Sequence, residues 1–172
     1  MALYFPVPEW TGTYVEMAKF GHRRKGGARV HAGCDLYAPL ESDVVAIDGG
    51  MVVEISLAFT PNTQAISIRH EGIGVIRYGE IVKIPKEFLK VNAKIKSGER
   101  VVIGKVGHAV SKLSPMLHLE MYDGSGNGPL SDKSHKTEYK NEGVLKDADY
   151  ERRADLMNPT KFLERLWVEG QK

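Results

Sequence analysis

Residues 44–56 read VVAIDGGMVVEIS, and residues 65–78 read AISIRHEGIGVIRY. Each stretch contains two short runs rich in β-branched residues, separated by turn-forming residues such as Asp48-Gly49-Gly50. Short apolar runs with turn residues at this spacing predict antiparallel β-hairpins. Residues 101–103 and 117–122 are of the same kind and predict two more strands. The sequence therefore predicts a mostly β fold, a small antiparallel β domain.

The C-terminal part of the chain has a different pattern. Asn158-Pro159 precedes a predicted helix over residues 160–168. One face of this helix is apolar and carries Phe162, Leu163, Leu166 and Trp167. Residues 123–142 are polar and glycine-rich, which predicts a long surface loop that is either a functional wall or a plain insertion. The sequence contains no long internal repeat that would mark a domain boundary. We therefore expect residues 1–172 to form one domain, whose central part spans about residues 20–167.

Bulk composition excludes several classes of protein. The chain has 172 residues, 42% of them hydrophobic and 27% charged, which is typical of a globular protein. Its net charge of +2 is too small to indicate a nucleic-acid partner, and the single cysteine rules out an internal disulfide. Residues 1–10 lack the basic start and apolar run of a signal peptide, and no stretch approaches a membrane span. We expect the protein to be cytoplasmic as synthesised.

Two histidines and one aspartate lie in patterns that could bind a metal ion. His31 and Asp35 are four residues apart, and Gly33 between them is expected to allow a tight turn. In an extended strand, His118 would face away from its apolar neighbours Leu117 and Leu119. Catalytic zinc sites use three such ligands and leave a fourth position for water. On spacing alone, ordinary surface or hydrogen-bonded residues are the more common explanation of such a pattern.

A series of motifs in this sequence resembles the lysostaphin-type (M23, LytM-like) peptidase family. The matching stretches occur in the family's order: Phe20-Gly21, HAGCDLYAP at 31–39, VVAIDGGMV at 44–52, ISIRHEGIG at 66–74, RYGEI at 77–81, residues 91–106, MLHLE at 116–120, and Asn158-Pro159. The resemblance covers roughly residues 20–167. Because the motifs are collinear, the resemblance is specific.

This resemblance implies a fold and a chemistry. The fold would be of the duplicated-hybrid-motif type, with an open groove and one C-terminal helix. One Zn²⁺ per chain would be held by His31, Asp35 and His118. The family's zinc-bound water attacks an amide bond in peptidoglycan peptides. A protein without a leader would reach the periplasm or cell wall by lysis or through a secretion system. The oligomeric state stays open.

Two residues depart from the family pattern. Glu80 replaces the catalytic histidine of the family's Y-A-H-L motif, and Met116 replaces the first histidine of H-L-H. A carboxylate can serve as general base beside zinc, so Glu80 is the candidate base. The candidates for a donor to the developing oxyanion lie in or beside the preceding hairpin: His70, Arg69, Arg77 and Tyr78. Strand alternation places Tyr78 on the same face as Glu80 and favours it.

The same departures allow a second interpretation. Without either histidine, the domain could be catalytically degenerate, keeping its zinc and its groove. It would then bind cell wall or regulate another wall hydrolase. Retention of the complete ligand set favours the enzyme.

Overall fold

The computed structural model describes residues 3–24, 29–108, 114–132 and 151–170. In chain order its strands are β1 (Arg23–Arg24), β2 (Arg29–Val30), β3 (Cys34–Tyr37), β4 (Asp43–Val45), β5 (Gly50–Ser56), β6 (Gln64–His70), β7 (Gly74–Val82), β8 (Lys94–Ile95), β9 (Val102–Val106), β10 (Met116–Tyr122), β11 (Ser131–Asp132), β12 (Glu151–Arg152) and β13 (Leu156–Met157). Short 3-10 turns form at Glu16–Ala18 and Lys86–Phe88, and helix α1 spans Thr160–Gly170.

Within these described ranges, nine strands form one antiparallel sheet. Strands β13, β10, β7, β6, β5 and β8 are neighbours in that order, β3 pairs with β10, and β9 pairs with both β7 and β4. The hairpin predicted in residues 65–78 is β6–β7, whereas the two strands in residues 44–56 do not pair with each other: β4 pairs with β9 and β5 pairs with β6. The predicted helix is α1, two residues longer than expected. The fold class predicted from the sequence is confirmed. None of the helices described is long and apolar enough to cross a membrane.

The sheet has an apolar face and a polar face, set by strand alternation. Register aligns Ile66, Tyr78 and Leu119 on neighbouring strands, and all three belong to the main core. The N-terminal segment packs on this core through Phe5, Val7 and Trp10, and α1 packs on it through Leu163 and Leu166. The residues one position along the strands lie on the opposite, polar face.

Strand β7 contains a bulge at its centre. Between Tyr78 and Ile81 the strand has one residue more than its partner β6 has between Ile66 and Gln64. Glu80 has a positive φ of 58°, in the left-handed region that is uncommon for a residue with a side chain. Both Tyr78 and Ile81 reach the core although they are three residues apart. Strict alternation therefore fails here, and with it the prediction that Tyr78 and Glu80 share a face.

The predicted loop 123–142 also differs from the expectation. Strand β11 lies inside it and pairs with β12, some twenty residues later. Residues 133–142 lie outside the described residues. The sequence pattern did not reveal β11 because this two-residue strand is stabilised by tertiary contacts and has no alternation of its own.

Candidate metal centre

Three ligand-type side chains converge on the polar face of the sheet. His31 follows β2, Asp35 lies in β3, and His118 lies in β10. The Nε2 atom of His31 is 3.0 Å from Oδ1 of Asp35 and 3.1 Å from Nδ1 of His118. The Nδ1 atom of His118 is 2.9 Å from the same Asp35 oxygen. The structure thus brings together the three residues that the sequence predicted as metal ligands.

Backbone pairing explains why these side chains meet. Asp35 lies directly opposite His118 in the β3–β10 register, so both side chains leave the sheet on the same face. The backbone of His31 is held by His22, since His31 N donates to His22 O at 2.9 Å. A second bond, from Gly21 N to His31 O at 2.8 Å, completes this pairing.

Gly33 has a different role from the one predicted. It is not among the residues with positive φ, so a tight turn does not require it. A Cβ atom at this position would lie 2.3 Å from the backbone oxygen of Leu119 and 3.1 Å from Cε1 of His118. Glycine is needed because the chain passes too close to β10 for a side chain to fit. This close passage brings His31 and Asp35 near His118.

Each histidine has an outer hydrogen bond that selects its ligand atom. His31 donates from Nδ1 to the backbone oxygen of Lys19 at 2.9 Å, which leaves Nε2 for a metal. His118 donates from Nε2 to Oε1 of Glu120 at 3.1 Å, which leaves Nδ1 for a metal. These are the two nitrogens that face Asp35.

The donor set and its spacing fit a zinc ion. Zinc binds imidazole nitrogen at about 2.0–2.1 Å and carboxylate oxygen at about 2.0–2.2 Å in tetrahedral geometry, so its ligand atoms lie roughly 3.3–3.5 Å apart. The three atoms here are 2.9–3.1 Å apart. A few tenths of an ångström of expansion would therefore admit the ion. Three protein ligands leave one position for water.

The electrostatics of the group also favour a cation. Burial opposes the charge on Asp35, but hydrogen bonds from His118 and His31 outweigh it and hold the pKa of this carboxyl well below its usual range. Burial also opposes charge on His118, yet its bonds to Asp35 and Glu120 raise the pKa of His118 to about 9. The charged His118 ring lies between the carboxylates of Asp35 and Glu120, and its proton on Nδ1 occupies the place that a metal cation would take.

Behind His118 lies a buried carboxylate, Glu120, that the sequence motifs do not mark as part of the site. Glu120 is fully buried and accepts hydrogen bonds from His118, Arg77, Arg152 and Tyr122. Burial opposes its ionisation, but Arg152 and Arg77 hold the pKa of Glu120 well below its usual range. Its place two residues after His118, on the same strand face, was the signal that could have revealed it.

An aromatic side chain from the β5–β6 connection covers this part of the sheet. The Phe59 ring centroid is 6.0 Å from that of His118 and 5.8 Å from Cζ of Arg77. It packs on Gly79, where a Cβ atom would lie only 2.6 Å from the ring. Residues 57–64 with Val82 line an adjoining open cavity of about 550 Å³. Nothing in the sequence indicated that Phe59 reaches His118.

The two positions that depart from the family pattern flank His118. Gly79 pairs with His118, and Glu80 follows it in the bulge, half-buried, with its backbone oxygen accepting from Gly107 N at 2.9 Å. Met116 is buried, pairs with Tyr37, and precedes His118 by two residues on the same strand face. Glu80 is not a member of the three-residue ligand group.

The structure does not bring Tyr78 or His70 to this centre. Tyr78 pairs with Leu119 and is fully buried in the core, on the face opposite His118. Its hydroxyl donates to Nε2 of His70 at 2.9 Å and accepts from the backbone of Ile47 at 3.0 Å. His70 donates in turn from Nδ1 to Gly49 O. The prediction that these two side chains stabilise the oxyanion is therefore corrected: they brace the core.

The two arginines named as donors differ in position. Arg69 is exposed and donates to the backbone oxygen of Gly124 at 3.2 Å. Arg77 lies on the same face as His118, but it is buried and bound to the carboxylates of Glu120 and Glu54.

Comparisons with known proteins give a sequence match and a shared fold. Residues 29–131 match the sequence model described as peptidase family M23. A search of curated protein sequences found no match. Among solved structures, the chain is similar to the catalytic domain of the antimicrobial peptidase lysostaphin from Staphylococcus simulans, with 20% sequence identity and a TM-score of 0.56, over 88% of this chain and 92% of that one.

Two other solved structures share the fold. A zinc-containing peptidase from Vibrio cholerae is 22% identical, with a TM-score of 0.52, over 70% of this chain and 36% of that one. A chain of the SpoIIQ–SpoIIIAH pore-forming complex is 17% identical, with a TM-score of 0.56, over 99% of this chain and 96% of that one.

Proposed function

Because this chain belongs to peptidase family M23, we propose that it is a zinc-dependent endopeptidase that hydrolyses an amide bond in the cross-bridges or stem peptides of peptidoglycan. The observation that carries this proposal is the convergence of His31, Asp35 and His118, with the outer hydrogen bonds that aim both imidazoles. On this proposal residues 1–172 act as one domain, with one Zn²⁺ per chain.

On this proposal the zinc ion activates water and the amide carbonyl, and the protein side chains hold the ion. A bound zinc ion lowers the pKa of a coordinated water toward about 7 and polarises an amide carbonyl. His31, Asp35 and His118 would hold the ion through Nε2, Oδ1 and Nδ1. The low exposure of these three side chains, 2%, 3% and 8%, keeps competing water away from the ligand atoms.

We assign the general base to Glu80. Its carboxylate would accept a proton from the attacking water and deliver it to the leaving amine nitrogen as the amide bond breaks. Two features support this assignment: Glu80 directly follows the residue that pairs with His118, and it lies in a bulge with positive φ. Bulges and backbone strain of this kind are frequent beside active sites, where they redirect a side chain.

Metal content and wall cleavage test this proposal together. The purified protein should bind about one zinc per chain and release soluble peptides from purified peptidoglycan, identified by mass spectrometry. His118→Ala should lose the zinc and the cleavage. Glu80→Gln should keep the zinc and lose the cleavage, whereas Glu99→Gln, an exposed glutamate paired with Lys96, should keep both. Full zinc retention by His118→Ala would refute the ligand assignment, and an active Glu80→Gln would refute the base.

A second function is favoured by the loss of the family histidines at Glu80 and Met116. The domain could be a catalytically degenerate zinc-binding module that binds cell wall or regulates another wall hydrolase. If the zinc-loaded protein cleaves no peptidoglycan from several chemotypes but sediments with it, this second function is correct.

Either function requires contact with the cell wall. We propose that the protein reaches the periplasm or wall by lysis or through a secretion system. Fractionation of producing cells, with immunodetection in the periplasmic, extracellular and cytoplasmic fractions, tests this route.

A further inference from the structure

A row of polar side chains crosses four strands on the face that carries the metal centre. Glu54 of β5 lies opposite Ser67 of β6, Ser67 lies opposite Arg77 of β7, and Arg77 lies opposite Glu120 of β10. Residues opposite one another in neighbouring strands share a face, so the four side chains form a continuous line. This line ends at Glu120, the carboxylate that accepts the hydrogen bond from the ligand His118.

Arg77 is the centre of this row. Its Nη1 atom is 3.0 Å from Oε2 of Glu120 and 2.9 Å from Oγ of Ser131, and its Nη2 atom donates to Oε1 of Glu54. The Arg77 side chain is only 3% exposed, and Glu120 is completely buried. The planar guanidinium can bridge two carboxylates in a fixed geometry, which a lysine ammonium cannot do.

The second oxygen of Glu120 depends on this bridge. Oε1 of Glu120 accepts from His118 and, at 2.9 Å, from Nε of Arg152. Oε2 accepts from Arg77 and, at 2.6 Å, from the hydroxyl of Tyr122. With both oxygens occupied, the carboxylate cannot rotate, and Oε1 stays in the position that orients the imidazole of His118.

We propose that Arg77 is a positioning residue for metal binding, which acts on His118 through Glu120 and is itself held in place by Glu54. This clamp, formed by Glu54, Arg77 and Glu120, keeps Nδ1 of His118 directed at the ion. This inference rests on the zinc site of the proposed function but not on hydrolysis. Conserving the positive charge is not sufficient, because the bridge needs two separate nitrogen donors.

The same clamp links the metal centre to the connection after β10. The backbone nitrogen of Leu130 donates to Oε2 of Glu54 at 3.0 Å, and Ser131 accepts from Arg77. Ser131 lies in β11, which pairs with β12, and β12 supplies Arg152 to Glu120. Strands β11 and β12 are thus both held by this row, β11 through the bond from Arg77 to Ser131 and β12 through the bond from Arg152 to Glu120.

Zinc affinity at constant pH tests the proposal, measured by competition with a chromophoric chelator. Outer hydrogen-bonding partners of metal-ligating histidines typically change metal affinity by about 10- to 100-fold. We expect Arg77→Met to weaken zinc binding by about that factor, and Arg77→Lys to restore little of it. Glu54→Gln should weaken binding less, because Arg77 keeps its contact with Glu120.

Two substitutions at paired surface residues serve as controls. Arg100→Met removes an arginine that is paired with Asp43 at 3.0 Å, and Glu41→Gln removes a glutamate paired with Lys83 at 2.6 Å. Neither residue contacts the row, so zinc affinity should stay at the wild-type value. The variants that still fold can also be loaded with Co²⁺, whose visible spectrum reports ligand geometry. A shifted spectrum in Arg77→Lys but not in the controls is expected.

A purely structural role gives a different result. In that case Arg77→Lys and Glu54→Gln would lower the unfolding temperature of the metal-free protein but leave zinc affinity and the Co²⁺ spectrum unchanged, which would overturn the proposal. If Arg77→Met does not fold, Glu54→Gln decides, since its carboxylate is 29% exposed. A wild type that binds zinc without cleaving peptidoglycan refutes only the enzyme function. A wild type that binds no zinc refutes the metal centre and this inference together.

Discussion

Two glycines show how single residues make room for the site. Gly33 lets the chain pass against the backbone of Leu119, and Gly79 lets the ring of Phe59 lie on β7 beside His118. Neither glycine has positive φ, so each is required for space and not for conformation. The sequence predicted a turn at Gly33 and nothing at Gly79, because a close approach depends on which strands become neighbours.

We expect Gly79→Ala to displace Phe59. A Cβ atom there would lie 2.6 Å from Cε1 of the Phe59 ring, closer than any normal contact. Overpacking of this kind costs about 1–3 kcal/mol, which urea denaturation can measure. Combining it with Phe59→Leu should recover part of the loss. Equal stability of the single and double variants would show that the ring moves away freely.

The candidate ligands and the residues that support them differ in how well the sequence predicted them. His31, Asp35 and His118 could be identified because the family motifs contain them in order. The clamp of Arg77, Glu120 and Glu54 spans three strands distant in sequence, and only the register reveals it. Regular alternation through Glu80 would place Tyr78 on the face of the metal centre, but the strand has a bulge there and Tyr78 lies on the core face.

At the level of elements, the turn after β10 is held by one carboxylate. Oδ2 of Asp155 accepts from the backbone nitrogens of Gly124 at 3.0 Å and Gly126 at 3.2 Å, and Arg153 donates to both of its oxygens. Burial opposes its ionisation, but the bonds from Arg153 and the two glycines lower the pKa of Asp155. The β10–β11 connection therefore depends on an ionised Asp155.

This arrangement predicts a pH-dependent stability. Because the folded-state pKa of Asp155 is depressed, its contribution is fully present above the unfolded-state value of about 3.9 and is lost as the pH falls through the folded-state value. Asp155→Asn should lower the free energy of unfolding by about 1–3 kcal/mol at pH 7. The difference from wild type should shrink below about pH 4. Urea denaturation at pH 7 and pH 3 measures both values, and a constant difference would contradict the prediction.

Helix α1 stabilises the fold through a narrow apolar stripe. Leu163 is fully buried against the core, whereas Val168 is 58% exposed. Leu163→Ala should cost about 2–5 kcal/mol through the lost burial and the cavity that remains. Val168→Ala should change stability by at most about 0.5 kcal/mol. Thermal and urea unfolding of both variants tests the contrast, and similar losses would show that the helix is not anchored by this face.

For the whole molecule, the sequence predicts the fold more completely than it predicts the site. The hairpin signals, the β-branched runs and the apolar face of α1 are local, so they appear in the sequence directly. The pairing of β11 with β12, and of β3 with β10, is long-range and has no local signal. The ligand cluster therefore became visible in the sequence only through resemblance, whereas in the structure it follows from the register of β3 against β10.

Zinc should stabilise the entire protein if the centre binds it. A ligand that binds only the folded state adds about 2.7 kcal/mol at a free concentration of 100 times Kd. For a domain of this size, that corresponds to a rise in Tm of roughly 5–11 °C. Differential scanning calorimetry with zinc and with a chelator measures the shift. His118→Ala should not respond, and an equal response of this variant would place the stabilising ion elsewhere.

Strand β7 lies between β6 on one side and β10 and then β9 on the other, and its bulge at Glu80 lies where the partner changes. In hydrogen–deuterium exchange, the amides of Ile76 and Tyr78 should therefore be among the slowest, opening only when the whole protein unfolds. The amide of Glu80 should exchange faster, since a bulge interrupts the ladder. Faster exchange at Glu80 than on either side would mean that the candidate base can be reoriented without loosening the sheet that holds the candidate ligands.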